Sequence, residues 1–106
     1  MALRGIVISR GEIISAKDNS PNSLLKEDVT AVFIDDVRGK IFLWSGRKAK
    51  VTDKFRAARL AHMLNWKLFG GAGKVIQNEE DVKVELQKYH RVDDDIPRTE
   101  IASILG

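Results

Sequence analysis

The chain predicts an α+β fold in which a mixed sheet carries helices on its faces. Three features predict it. Val29 to Ile34 (VTAVFI) is a continuous apolar run, the pattern of a central strand buried on both faces. Lys40 to Trp44 (KIFLW) returns across the short polar turn Asp35 to Gly39, which makes a hairpin at the middle of a sheet. Thr52 to Phe69 (TDKFRAARLAHMLNWKLF) then reads as one long helix, followed by a further strand and a further helix.

The remaining elements follow in order. Leu3 to Ile8 and Glu12 to Ala16 are short β-branched runs around Arg10-Gly11, read as a hairpin. Lys17 to Ser23 is rich in turn formers and reads as a loop. Gly46 ends the returning strand. Thr52 is the expected N-cap of the long helix, and Asp53 suits its positive end. Gly70-Gly71-Ala72-Gly73 stops that helix, because glycine reaches the left-handed conformation in which helices often end. Lys74 to Gln77 reads as a strand. Asn78 to Tyr89 opens with acids and spaces Val82, Leu86 and Tyr89 helically. Asp93 to Pro97 is a breaker loop, and Thr99 to Leu105 a last helix with Ile101, Ile104 and Leu105 inward. The long helix is expected to cover one sheet face, and the C-terminal helix to cover or flank the other.

Composition narrows the function classes. The 106 residues suffice for a single domain, 1–106, and are too few for two. Hydrophobic residues make up 43% and charged residues 31%, ordinary for a globular protein and against disorder. The net charge is +3 with a pI near 9.3, and the basic residues are interleaved with acids, which favours a mixed surface over a nucleic-acid-binding stripe. Cysteine is absent, so disulfides and cysteine metal sites are excluded. No segment approaches the ~20 apolar residues of a membrane span. The start lacks the core and cleavage site of a signal peptide, so a cytoplasmic location is expected.

The long helix carries the functional signal. At about 100° per residue, Ala57, Leu60, Ala61, Leu64 and Leu68 fall on one stripe. Phe55, Arg59, His62, Met63 and Trp66 fall on the stripe across from it. One apolar face docks a helix on its own core. A second face with Phe, Met and Trp edged by Arg and His points to binding another macromolecule. The competing reading buries Met63 and Trp66 under the N-terminal strands or the C-terminal tail.

The run VFIDDVRGKIFLWSGRKA, the helix segment AARLAHMLN and the following GGAGKVIQNEE resemble the gelsolin repeat. Asn22-Ser23-Leu24 fits the approach to the hairpin, so the resemblance spans Asn22 to Glu80, over half the chain. It implies a gelsolin-like, ADF-homology-like fold: a central mixed five-stranded sheet sandwiched between one long and one short helix, shared with cofilin-like domains. It also implies actin binding, with the long helix lying in the cleft between two actin subdomains. On that motif the actin-facing positions are Phe55, Arg59, His62, Met63 and Trp66. The implied function is regulation of filament dynamics by monomer sequestration or capping, with weaker severing. The alternative is an interaction module for a non-actin partner.

Calcium is where the chain departs from the family. The first carboxylate position falls near Thr30, leaving Asp28 as the nearest acid. The helix position falls on Asp53, flanked by Lys50 and Lys54. The site shared with actin would need an acid at Asn65. No cofactor is therefore expected, and calcium binding is expected to be weak or absent. The basic residues Arg47, Lys48, Lys50, Lys54, Arg56 and Arg59 suggest attraction to an acidic actin surface or, secondarily, phosphoinositide headgroups. Nothing supports catalysis. His62 and His90 lie on different elements without triad spacing, and Gly70 to Lys74 follows a helix, whereas a phosphate loop precedes one. Asp93 to Asp95 lacks EF-hand spacing and reads as a solvated turn.

Overall fold

The computed structural model describes residues 2–106. Its strands are β1 (Arg4–Ser9), β2 (Glu12–Ser15), β3 (Thr30–Asp35), β4 (Lys40–Ser45), β5 (Lys74–Ile76) and β6 (Asp94–Asp95). Its helices are α1 (Val51–Phe69), α2 (Glu79–Leu86) and α3 (Arg98–Leu105). The sheet runs β2-β1-β3-β4-β5, with β6 joining β1. The β1–β2, β1–β3 and β3–β4 pairs are antiparallel, while β4–β5 and β1–β6 are parallel, so the sheet is mixed.

The apolar runs dictate the layers. Every residue of β3 is buried, as a strand covered on both faces requires. Register then sorts the side chains, since neighbours along a strand point to opposite faces. Phe33 pairs with Phe42 and Ala31 with Trp44, on one face. Val32 pairs with Leu43 and Ile34 with Ile41, on the other. The first face is covered by α2 through Val82 and Leu86, with Tyr89 and Val92 beyond it. The second is covered by α1 through Ala57, Leu60, Ala61 and Leu64. These four are fully buried, and each leucine contributes about 1.5–3 kcal/mol by leaving water.

Several sequence expectations need correction. The C-terminal helix does not take the face opposite α1; α3 packs beside α1, with Ile101 and Ile104 in the same core. The cause lies in the segment read as a breaker loop. Asp94 and Asp95 form a short parallel strand opposite Arg4 and Gly5. The Asp93 carboxylate accepts the Leu3 N–H at 2.8 Å. Asp95 accepts from Ala16 N at 2.8 Å, Lys17 N at 2.9 Å and Ser15 Oγ at 2.7 Å. Burial pushes the Asp95 carboxyl up, but these hydrogen bonds outweigh it and hold it below the usual carboxylate range. The acids thus tie the tail to the start of β1 and the end of β2, and deliver Ile96 and α3 to the α1 side.

Thr52 is not the N-cap. The helix starts at Val51 with Lys50 as cap, and Lys50 makes no side-chain cap bond. The loop after β2 contains a 3₁₀ turn at Pro21–Leu24. Leu68 is 37% exposed, because the last turn of α1 runs past the core, and Leu105 is only half-buried. The second helix ends at Leu86, short of Tyr89. The Tyr89 hydroxyl donates to Asp35 Oδ2 at 2.7 Å, which fixes the chain after α2 to the end of β3. Burial and that bond to a carboxylate push the Tyr89 hydroxyl's pKa up.

Candidate partner-binding face

With its inner stripe sealed against the sheet, α1 turns a second apolar stripe to water. Phe55 is 72% exposed, Trp66 68% and Met63 37%, and Arg59 and His62 are exposed between them. All five residues singled out from the sequence therefore share one open face. Of the eight exposed large hydrophobic residues described, five lie on α1. Four of these five, Val51, Phe55, Met63 and Trp66, lie on the open face, and Leu68 lies on the inner stripe.

Val51 belongs to this face and was not foreseen. It is 65% exposed and follows the same helical stripe as Phe55 and His62. Placing the N-cap at Thr52 excluded Val51 from the helix and so from the stripe. Starting the helical count one residue earlier would have found it.

The face is held in place from both ends. At the foot of α1, Gly70 takes the left-handed conformation with φ 59° and Gly71 follows with φ 83°. The Trp66 ring lies against Gly71, where a side-chain β-carbon would sit 3.3 Å from Cζ3. The glycine thus both turns the chain and leaves room for the indole. At the start of α1, the β1–β2 turn is clasped by two side chains. Asp53 Oδ1 accepts the Gly11 N–H at 3.0 Å, and Arg56 Nη1 donates to the Gly11 carbonyl at 3.1 Å. On the flank, Arg59 Nε donates to the Ile104 carbonyl of α3 at 3.3 Å. Lys67 Nζ donates to Ser103 Oγ at 3.0 Å.

The second tryptophan makes the contrast plain. Trp44 is 3% exposed, donates from Nε1 to the Lys26 carbonyl at 2.9 Å and lies 5.6 Å from the Lys83 ammonium. It is a core residue with its polar atom satisfied. Trp66 lies on the open face.

The positions raised for calcium are used by the fold itself. Thr30 is buried and donates from Oγ1 to the Ile8 carbonyl at 3.0 Å. Asn65 Oδ1 accepts the Gly73 N–H at 2.8 Å, bracing the turn after α1. Asp53 is fully buried with one oxygen on Gly11 and Oδ2 without a protein partner, whereas Asp28 is exposed. The described residues hold no group of three or more His, Cys, Asp or Glu side chains around a common point.

Four of the six residues of the basic cluster make contacts within the chain. Arg47 pairs with Glu79 at 3.6 Å and Lys48 with Glu27 at 3.6 Å, while Arg56 and Arg59 hold backbone carbonyls. Among the described residues no helix is long and apolar enough to cross a membrane.

No family model matches the chain, and no curated protein sequence matches it. Among solved structures the fold is similar to one in the crystal structure of the Thorarchaeota ProGel/rabbit actin complex. The TM-score is 0.57 at 22% identity, covering 72% of this chain and 83% of that one. At that identity the likeness shows the fold, an α+β gelsolin-like arrangement of a mixed sheet between helices.

Proposed function

We propose that the chain binds actin through the outward stripe of α1 and thereby restrains filament growth. The observation that carries this reading is the exposure of Trp66 and Phe55, at 68% and 72%, on a helix whose opposite stripe is sealed. The similar solved fold was crystallised with actin, which supports the choice of partner. In the complex Trp66 and Met63 bury apolar area in a cleft, Phe55 extends the contact toward the helix start, and Arg59 and His62 add polar contacts at the edge. Tryptophan and arginine are the residue types that most often dominate such interfaces, and methionine adapts to irregular grooves. A helix seated in that cleft excludes the next subunit. A single such face favours monomer sequestration or end capping over severing, which gains from a second filament-side contact. On this reading the binding needs no calcium, since the positions at Thr30 and Asn65 carry no carboxylate.

The test is a Trp66→Ala, Met63→Ala double variant in monomer-binding, filament co-sedimentation and polymerisation assays, each with and without calcium. Binding is expected to weaken by about 3 kcal/mol or more, over a hundredfold, with the fold retained. Normal actin binding by the folded double variant moves the contact elsewhere. No binding by the parent chain points to a non-actin partner.

A further inference from the structure

We propose that the open groove between β5 and α2 is a second docking site, which receives an extended basic segment of a partner protein as an added strand. This proposal is independent of the α1 face. β5 is the last strand on its side of the sheet. Its Lys74 N–H donates to the Gly39 carbonyl at 2.8 Å, and its register sets Val75 opposite Ile41 and Ile76 opposite Phe42. In a parallel ladder alternate residues bond to the neighbouring strand. Lys74 and Ile76 therefore spend their backbone groups on β4, and Val75 turns its own N–H and C=O to the open edge. An exposed edge of this kind is a template for strand addition.

The groove beside that edge has a volume of about 520 Å³. Val75 lies on the strand side and Val84, 58% exposed, on the helix side. Its charge is opposite to that of the chain. Three carboxylates (Glu80, Asp81, Glu85) and one ammonium (Lys74) line it, and with Glu85 paired to Lys40 and Lys88 the acidic charge left for an occupant is that of Glu80 and Asp81. Glu80 reaches Lys83 only at 3.9 Å. An incoming strand places alternate side chains on opposite faces. Basic residues on the α2 side meet the carboxylates and lay their methylene stems along Val84, and aliphatic residues on the other side cover Val75. Lys74 and the three-residue length of β5 discourage indiscriminate pairing, so the complementary charge selects the occupant.

The test is an NMR titration of the labelled protein with the synthetic peptide Lys-Val-Lys-Val-Lys-Val and its Glu-Val-Glu-Val-Glu-Val counterpart. The lysine peptide is expected to bind at least about tenfold more tightly. Its shifts should be confined to residues between Lys74 and Glu85, and exchange of the Val75 amide should slow about tenfold or more at saturation. The surface double variant Glu80→Lys, Asp81→Lys should weaken it about tenfold, with actin binding unchanged. Equal affinity for the two peptides, shifts centred on α1, an unprotected Val75 amide, or no shift up to about 1 mM peptide each overturns the proposal. Because the double variant leaves the α1 face intact, either result is read separately from the actin reading.

Discussion

The two stripes of α1 carry comparable apolar residues and meet opposite fates. Ala57, Leu60, Ala61 and Leu64 lose all contact with water, while Phe55 and Trp66 keep more than two thirds of theirs. Residue size accounts for the division. The inner stripe alternates small and medium side chains, which lets the helix backbone approach the flat row of Val32, Ile34, Ile41 and Leu43. The outer stripe carries the largest side chains, which would hold the helix away from the sheet if it were rotated. The inner stripe thus specifies how α1 docks, and the outer one is left free of that duty.

The sharpest way to break this division is to truncate one residue on each side. Leu60→Ala is expected to cost about 2–5 kcal/mol of stability, the range for a buried leucine leaving a cavity. Urea unfolding monitored by circular dichroism measures it. Any loss of actin binding should track the folded fraction. Phe55→Ala should do the reverse, weakening actin binding by about 1–2 kcal/mol, roughly five- to thirtyfold, and moving the unfolding midpoint within about 0.5 kcal/mol. If Phe55→Ala destabilised the fold as much as Leu60→Ala, the outer stripe would be a second core surface.

How legible the molecule was depended on whether a feature is local. The β3–β4 hairpin, α1 and the glycine stop were readable because apolar runs, helical spacing and turn residues act within a few positions. The open stripe was readable for the same reason, apart from Val51, which was lost with a one-residue error in the helix start. Leu68 was misplaced because periodicity says which way a side chain points, not where the sheet beneath it ends. The tail was not readable. Asp94 and Asp95 have little strand propensity, and only backbone pairing with Arg4 and Gly5, roughly ninety positions away, makes them a strand. The β5 edge is a property of strand order, which no local pattern encodes.

A smaller effect tests whether the outer stripe is preset or merely exposed. Gly71→Ala places a side chain on a backbone with φ 83° and sets a β-carbon 3.3 Å from the Trp66 ring. The strained backbone should cost about 1–2 kcal/mol. The indole must shift, so iodide quenching of its fluorescence should rise while that of the buried Trp44 stays low. Actin affinity should fall several-fold, well short of the Trp66→Ala loss. A binding curve identical to the parent's would show that Trp66 finds its bound orientation without Gly71.

The smallest expected effect reaches α1 through its flank. α3 sits beside the inner stripe because β6 is tied down by Asp95, whose carboxyl is held below the ordinary 3.8 in the folded chain. A depressed folded value contributes stability above the unfolded pKa, and the contribution is lost as pH falls through the folded one. Asp95→Asn keeps an acceptor oxygen but not the charge, and should lose about 1 kcal/mol at pH 7. That gap should close progressively as pH drops below 3.8. Asp35 titrates in the same window. Burial pushes it up, but bonds from Tyr89 and the Arg38 backbone hold it low. It is present in both proteins, so the difference between parent and variant isolates Asp95. Urea midpoints measured at pH steps from 7 downward check the sign. A gap that persists unchanged into acid would mean that Asp95 acts by shape alone and that its charge has no part in placing α3 against α1.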